Sequence, residues 1–400
     1  MPGARSISTG IWVGVGGRDE PAGLAGASHF LEHLLFKGTS ERSAAAIAEA
    51  VDAVGGEMNA YTTLEYTAFD TRLPVGHLDL GLDLLCDVVS RPAFRPADLE
   101  AERQVILEEL LMEEDTPDDR VLGVLAEAQF PDHPLGREVL GTRATISSID
   151  ATAIRAFHGE WYRPANLVVA CAGAVDHAEV VAGVGRRLGG LAGGRAPDRS
   201  PPTAAAEPLR LLRRRTEQVH LAIGARALAR HDPDRSALAV ANQILGGGLS
   251  SRLFQEIRER RGLVYSVYSD ATSWSDTGTL VVYAATAPGR AAEVLGLLHG
   301  ELDRLARSPV TARELEVAVG ALAGSTVLGL EDSGSRMARI GKALLVDGTV
   351  AGIDQLVERF LAVTVDDVAR AVERVLGPGE RTVAVIGPVA KRDLLPRRAA

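Results

Sequence analysis

Two spacings of hydrophobic residues run along this chain, and each predicts one type of secondary structure. Alternation with a period near two predicts one long strand over residues 59–73, and residues 264–286 predict a hairpin around Ser275–Gly278. Apolar residues every three or four positions predict helices over 76–90, 97–114, 234–246, 290–307 and 311–328. Because several strands come in adjacent pairs between helices, we expect an α+β fold with mostly antiparallel sheets covered by helices on one face.

The chain divides into two similar halves. Residues 194–208 are rich in Pro, Gly and Ala and lack apolar periodicity, which indicates a linker. Residues 149–175 and 363–389 share one order of helix cap, amphipathic helix, turn and apolar strand, at a separation of 214 positions. We therefore predict two duplicated domains, an N-terminal one over residues 1–193 and a C-terminal one over residues 209–400.

Composition narrows the class of protein. Hydrophobic residues make up 46% and charged residues 24%, as in ordinary globular proteins. No apolar run reaches the roughly 18 residues that a membrane helix needs, and the net charge of −10 disfavours nucleic-acid binding. Two cysteines, Cys86 and Cys171, form neither a disulfide framework nor a cysteine metal site. Without a secretion signal at the N-terminus, we expect a cytoplasmic protein with no nucleic-acid or membrane partner.

A short histidine motif is the first candidate for chemistry. Residues 29–33 read His-Phe-Leu-Glu-His within an apolar-periodic stretch that predicts a helix. Because positions i and i+4 share a helix face, His29 and His33 can present two imidazoles to one metal ion. Glu32 flanks that face and can hold a water molecule, as in the inverted form of the His-Glu-x-x-His zinc motif. Two half-buried histidines without a metal are the alternative interpretation.

A second helix offers carboxylates for the same ion. Glu102 and Glu109 are seven positions apart and share a helix face, and Glu109 follows His33 by 76 positions. A zinc ion held by two histidines commonly takes a third carboxylate ligand, which Glu109 can supply while Glu102 orients a ligand. Glu108 is a competing ligand that points about 100° away from the Glu102 face. A solvated acidic helix face is the other alternative.

The sequence around these motifs resembles the pitrilysin family of inverted zinc metallopeptidases. The matching segments are ASHFLEHLLFKGT, GGEMNAYTTLEYTAFDTRL and AERQVILEEL, and they are most similar to the half-length branch that includes processing peptidases. The resemblance implies one zinc ion per chain, bound by His29, His33 and Glu109. It also implies that Glu32 is the general base and that Glu102 is a supporting carboxylate.

The resemblance extends to substrate contacts. It implies that an edge strand around Asn59, Ala60 and Tyr61 holds the substrate backbone by strand addition. In the second half, Arg258 and Tyr265 have the seven-position spacing of an Arg/Tyr pair that in the family faces the scissile carbonyl. Read without the family, Arg258 is a surface helix residue and Tyr265 belongs to a sheet core.

The activity implied is that of a zinc metallo-endopeptidase that cleaves unfolded peptides or leader sequences inside a dimeric chamber. Each chain supplies half of a clamshell, so the partner is either a second copy or a related chain. Two alternatives remain: a subunit that is active only with a related non-catalytic chain, and a structural member without peptidase activity. Family members usually begin with an extra strand before the segment matching ARSISTGIWVGVG, and here we expect that strand to be short or absent.

Overall fold

Two sheets organise the computed structural model, which describes Met1 and residues 3–394. The first sheet has the order β2-β3-β1-β4, and the second has the order β5-β9-β6-β8-β7. Neighbouring strands are antiparallel except β5 and β9, which are parallel. The strands are β1 (Ser6–Val13), β2 (Glu57–Thr62), β3 (Thr67–Pro74), β4 (Leu167–Gly173), β5 (Leu209–Arg213), β6 (Val219–Ala227), β7 (Val267–Ser273), β8 (Gly278–Thr286) and β9 (Thr382–Gly387).

Helices cover both sheets, which confirms the predicted α+β class. They are α1 (Ala27–Leu35), α2 (Ala44–Asp52), α3 (Leu78–Ser90), α4 (Pro96–Glu114), α5 (Pro117–Gln129), α6 (Arg143–Ser148), α7 (Ala151–Trp161), α8 (His177–Leu188), α9 (Arg235–Gly246), α10 (Ala291–Arg307), α11 (Ala312–Gly329), α12 (Ser333–Asp347), α13 (Ile353–Leu361) and α14 (Val365–Leu376). The five helices predicted from periodicity correspond to α3, α4, α9, α10 and α11. None of these described helices combines the length and apolar character of a membrane span.

The chain forms two compact units, each built from separate stretches of sequence. The first unit comprises Met1–Leu111, Arg137–Asp198 and Leu328–Ala351, and the second comprises Met112–Gly136, Arg199–Val327 and the chain from Gly352 onward. Helix α5 packs on β6 and β9 in the second unit, and α12 packs on β1 and β4 in the first. Relative to the predicted contiguous domains, each half of the sequence therefore gives one helix to the other half's sheet.

The central strands of each sheet are consequently covered by helices on both faces, whereas helices on one face were expected. The edge strands β2 and β7 keep exposed side chains on one face. In β1, Ile11 and Val13 enter the main core of the first unit, while Trp12 packs on the opposite face against Met337 of α12. Gly341 makes this contact possible, because a Cβ atom there would lie 2.2 Å from the Trp12 ring. The exchanged helix thus covers a face that would otherwise expose a fully buried tryptophan.

The predicted long strand over residues 59–73 is wrong, because a tight turn divides it into β2 and β3. Thr63 makes the turn: its backbone N–H donates to the carbonyl of Tyr66 at 2.8 Å. Its hydroxyl donates to the same carbonyl and accepts from the backbone N–H of Tyr66. Hydroxyl residues of this kind reverse a chain without a glycine signal. The hairpin predicted in the second half is confirmed as β7 and β8.

The duplication seen in the sequence corresponds to equivalent elements. Asp150 caps α7 by accepting from the backbone N–H of Ala153, and 214 positions later Thr364 caps α14 by accepting from Asp367. The strands that follow, β4 and β9, pair antiparallel with β1 and β6, respectively. Among the described residues, β5 has no counterpart in the first sheet.

Candidate active site

Helix α1 carries the histidine motif, and burial of its apolar face in the core sets the direction in which the motif faces. The side chains of Phe30, Leu31, Leu34 and Leu35 are at most 1% exposed. The polar residues between them therefore lie on the other face, where they are half-buried.

The start of α1 is held by a carboxylate that the sequence interpretation missed. Gly26, at the N-cap, has a φ of 92° and no side chain to cap the helix. Instead, the backbone N–H groups of Gly26 and Ser28 each donate to the carboxylate of Glu20 at 2.6 Å. Burial raises the pKa of Glu20 to about 7, although these hydrogen bonds oppose the shift. No motif in the sequence marks this capping role.

Two histidines and a glutamate converge on one point between α1 and α4. The Nε2 atoms of His29 and His33 are 3.3 Å apart. Oε2 of Glu109 lies 3.8 Å from Nε2 of His29 and 3.6 Å from Nε2 of His33. Among the described residues, these three form the one group of metal-ligating side chains found within 4.8 Å of one another. The competing Glu108 is exposed and stands outside the cluster.

The donor set fits a zinc ion. Oε2 of Glu109 is buried and has no hydrogen-bond partner among the described residues, as expected for an oxygen directed at an ion. Burial, and to a lesser degree His33, lowers the pKa of His29 to about 4. His29 is therefore neutral at pH 7, which is the form that binds metals. Two imidazoles and a carboxylate leave the fourth zinc position open, as in catalytic sites.

Glu102 connects the cluster to a lysine. The Nδ1 atom of His33 donates to Oε2 of Glu102 at 3.0 Å, which leaves Nε2 with its lone pair toward Glu109. The other oxygen of Glu102, Oε1, is 2.6 Å from Nζ of Lys37. Lys37 had no predicted role: it lies in the turn just after the end of α1, four residues after His33, where no sequence pattern marks it.

Glu32 lies beside the cluster and next to the edge of the first sheet. Burial raises its pKa, and a hydrogen bond from Thr62 opposes this shift. The Thr62 hydroxyl donates to Oε2 of Glu32 at 2.5 Å. Thr62 ends β2, which has a single neighbour, β3, in the described sheet.

The predicted substrate-strand residues lie on that edge. Asn59 and Tyr61 in β2 are exposed, whereas Ala60 packs against the core of the unit. The open edge of β2 and the carboxylate of Glu32 are therefore joined through one threonine, Thr62.

Arg258 and Tyr265 are neighbours within the second unit. The guanidinium carbon of Arg258 lies 5.1 Å from the ring centroid of Tyr265 and 4.8 Å from that of Phe254. Arg258 belongs to a π-helical turn, Phe254–Glu259, and Tyr265 is 80% exposed. Tyr265 is thus a surface residue, which contradicts the alternative that it belongs to a sheet core.

Comparisons with known proteins identify the family. A zinc protease of Streptomyces coelicolor, described as uncharacterized, is 46% identical to this chain over 98% of it and 87% of the relative. A similarly described protein of Mycobacterium leprae is 45% identical over 100% of this chain and 90% of the relative. Another, from Bacillus subtilis, is 36% identical over 97% of this chain and 94% of the relative. The model of insulinase, peptidase family M16, matches residues 1–143. The chain belongs to peptidase family M16.

A second M16 model and two solved structures also match the chain. The model named peptidase M16 inactive domain matches residues 148–322. A protease of Helicobacter pylori has the same fold, with a TM-score of 0.89 at 22% identity over 97% of this chain and 95% of that one. A structure named peptidase M16 inactive domain from Pseudomonas fluorescens has a TM-score of 0.86 at 21% identity, over 97% of this chain and 94% of that one. The predicted pitrilysin-like family is confirmed, and the chain is zinc-protease-like.

Proposed function

We propose that this chain is a zinc metallo-endopeptidase. The observation that carries the proposal is the convergence of His29, His33 and Glu109, with Glu32 beside them and an open strand edge next to Glu32. A bound zinc ion, one per chain, would polarise the peptide carbonyl and lower the pKa of a water molecule toward neutrality.

The chain's own residues supply the proton transfers. Glu32 takes a proton from the attacking water and delivers it to the leaving amine, a role that suits a carboxylate whose pKa is raised by burial. Thr62 holds one oxygen of Glu32, and Glu102 holds His33 in the required orientation.

The substrate class follows from the edge strand. An extended peptide that pairs with β2 makes main-chain hydrogen bonds and places alternate side chains near Asn59 and Tyr61. Such pairing requires an unfolded segment, so we infer that the substrates are unfolded peptides or leader sequences.

We also propose that a second chain completes the site. Tyr265 is exposed and Arg258 is half-buried against its ring, and both are donors that can stabilise the developing oxyanion. In the proposal they come from the opposing chain of a dimeric chamber. A homodimer would contain two equivalent sites. A heterodimer with a related non-catalytic chain is the second arrangement, and activity of the purified chain distinguishes the two.

The structural, non-peptidase alternative is disfavoured by the completeness of the cluster. All three ligating groups and the neighbouring carboxylate are present and close together. A member that had lost its activity would be free to lose any of them.

The deciding experiment measures zinc and peptide cleavage in the same preparation. We expect one zinc per chain by elemental analysis, and Glu32→Gln should retain the zinc while cleavage of a peptide library falls by about 10²–10⁴-fold. Glu49→Gln, at an exposed position on α2, is the matched control. A protein without zinc that gains no activity when zinc is added would contradict the proposal.

A further inference from the structure

Lys37, Glu102 and His33 contact one another in series, and His33 belongs to the candidate metal site. The ammonium group of Lys37 contacts Oε1 of Glu102, and Oε2 of Glu102 accepts from Nδ1 of His33. We propose that Lys37 is a positioning residue: it holds Glu102 by one oxygen so that the other oxygen orients His33 toward zinc. This inference rests on the proposed function for the identity of the ion.

The backbone places Lys37 at the junction of α1 and α4. Arg95, which immediately precedes α4, donates to the carbonyls of Lys37 at 3.2 Å and of Thr39 at 3.1 Å. Between them, Gly38 has a φ of 114°, and a Cβ atom there would lie 2.6 Å from the carbonyl oxygen of Arg42. The main chain from which the lysine extends is therefore fixed against the helix that carries Glu102.

The burial of Glu102 explains why a cation is needed. The Glu102 side chain is 6% exposed, whereas Lys37 is 39% exposed. A buried carboxylate is costly unless it is paired and hydrogen-bonded. Lys37 supplies the compensating charge, and its ammonium group stays partly hydrated, so the pair forms at a modest desolvation cost.

The cluster treats its two histidines differently. Nδ1 of His29 is buried without a hydrogen-bond partner among the described residues, whereas Nδ1 of His33 is held by Glu102. Outer partners of this kind fix the tautomer and ring orientation of a metal-binding histidine. The Lys37–Glu102 pair therefore acts on one of the two imidazoles.

The choice of lysine has a physical reason. Only three of the 43 basic residues are lysines, so arginine is the usual cation of this chain. A guanidinium group is a planar fork that binds both oxygens of a carboxylate, whereas an ammonium group is a point charge that can bind one. An arginine at position 37 would compete with His33 for Oε2 of Glu102.

The first experiment measures zinc affinity by competition with a chelator. We expect Lys37→Met to weaken zinc binding about 10-fold, within the range typical of outer-partner losses, and Glu102→Gln to weaken it at least as much. Lys37→Arg should also weaken it, despite keeping the charge. Lys391→Met, at an exposed lysine in the other compact unit, is the control and should bind zinc normally.

The second experiment uses the metal-free protein. Nitrogen NMR of the imidazoles reports which ring nitrogen of His33 carries the proton, and we expect the Nδ1–H form to lose population in Lys37→Met. Thermal unfolding of each variant shows whether the fold is retained, and Lys37→Arg provides a second folded variant.

The outcomes separate the two proposals. Unchanged zinc affinity and an unchanged His33 tautomer in folded Lys37→Met would overturn the positioning role. Wild-type zinc affinity in Lys37→Arg would overturn the argument that the cation at position 37 must bind only one oxygen of Glu102. If the wild-type protein bound no zinc, the proposed function would fail, whereas the metal-free NMR measurement would still test the Lys37–Glu102–His33 arrangement.

Discussion

Helices α1 and α9 occupy equivalent places in the two units but differ in chemistry. Each follows the strand at the same place in its sheet, β1 or β6, and packs one apolar face into its core. The buried positions share a spacing: they are Phe30, Leu31, Leu34 and Leu35 in α1, and Val240, Ala241, Ile244 and Leu245 in α9.

Aligning these buried positions shows what distinguishes the units. The positions of His29, Glu32 and His33 correspond to Ala239, Asn242 and Gln243. Helix α11 is the second α-helix after β8, as α4 is the second after β3. It has no acidic residue after Glu316, whereas α4 carries Glu109 near its end. The comparison teaches that buried apolar positions maintain the duplicated fold, while a few polar positions, free of packing constraints, decide where chemistry can occur.

The largest expected effect is the removal of one ligand from the first unit. His33→Ala should abolish zinc binding and reduce peptide cleavage to background, because it leaves only two of the three protein ligands that a catalytic zinc site needs. Gln243→Ala, at the corresponding position of α9, should leave the zinc content unchanged. Elemental analysis and cleavage assays on both variants check this. Loss of zinc in Gln243→Ala would break the comparison.

Mixing two inactive variants tests whether one active site combines the first unit of one chain with the second unit of another chain. Glu32→Gln and Tyr265→Phe should each be inactive, but an equal mixture that exchanges subunits should recover up to about a quarter of the sites. Each recovered site combines Glu32 of one chain with Tyr265 of another. No recovery under verified subunit exchange would contradict completion of the site by a second chain.

The carboxylates at the starts of the two helices should respond oppositely to pH. Burial raises the pKa of Glu20 from 4.5 to about 7, so between these values the folded chain keeps a proton that the unfolded chain has lost. Its contribution to the free energy of unfolding therefore falls by about 3 kcal/mol as the pH rises through this range. Glu20→Gln should remove this part of the pH dependence, measured by denaturant unfolding, whereas Glu49→Gln should keep it.

Asp234, the N-cap of α9, supplies the contrast. Hydrogen bonds from Arg370, followed by those from Arg374, lower its pKa. Its contribution to stability is therefore present above its unfolded pKa and is lost as the pH falls through the folded value. Asp234→Asn should be less stable than wild type at neutral pH, and the difference should shrink in acid. The same sign of pH dependence at both carboxylates would contradict this assignment.

The smallest expected effects come from the duplicated helix caps. Asp150→Ala in α7 and Thr364→Ala in α14 should each cost about 1 kcal/mol of unfolding free energy, because each leaves a backbone N–H of the first turn without its acceptor. Denaturant unfolding of both variants measures the costs. Equal losses of unfolding free energy would support the equivalence of the two caps. If one substitution caused no loss, the two positions would not be equivalent.

The sequence by itself determined the features that depend on local order. The four-residue spacing of His29 and His33 is sufficient to place them on one helix face, and the seven-residue spacing of Glu102 and Glu109 does the same. Periodicity also located several helices and the second hairpin, and the capping residues Asp150 and Thr364 marked the starts of α7 and α14, because these features depend on residues only a few positions apart.

Tertiary structure decided the features whose partners are distant in sequence. The exchange of α5 and α12, the cap that Glu20 provides to α1, and the contact between Lys37 and Glu102 each require the chain to return to a point set by packing. The turn at Thr63 escaped detection because a hydroxyl made it without glycine or proline. Burial is the common physical reason: it selects which polar groups must find partners, and it exists only once the core has formed.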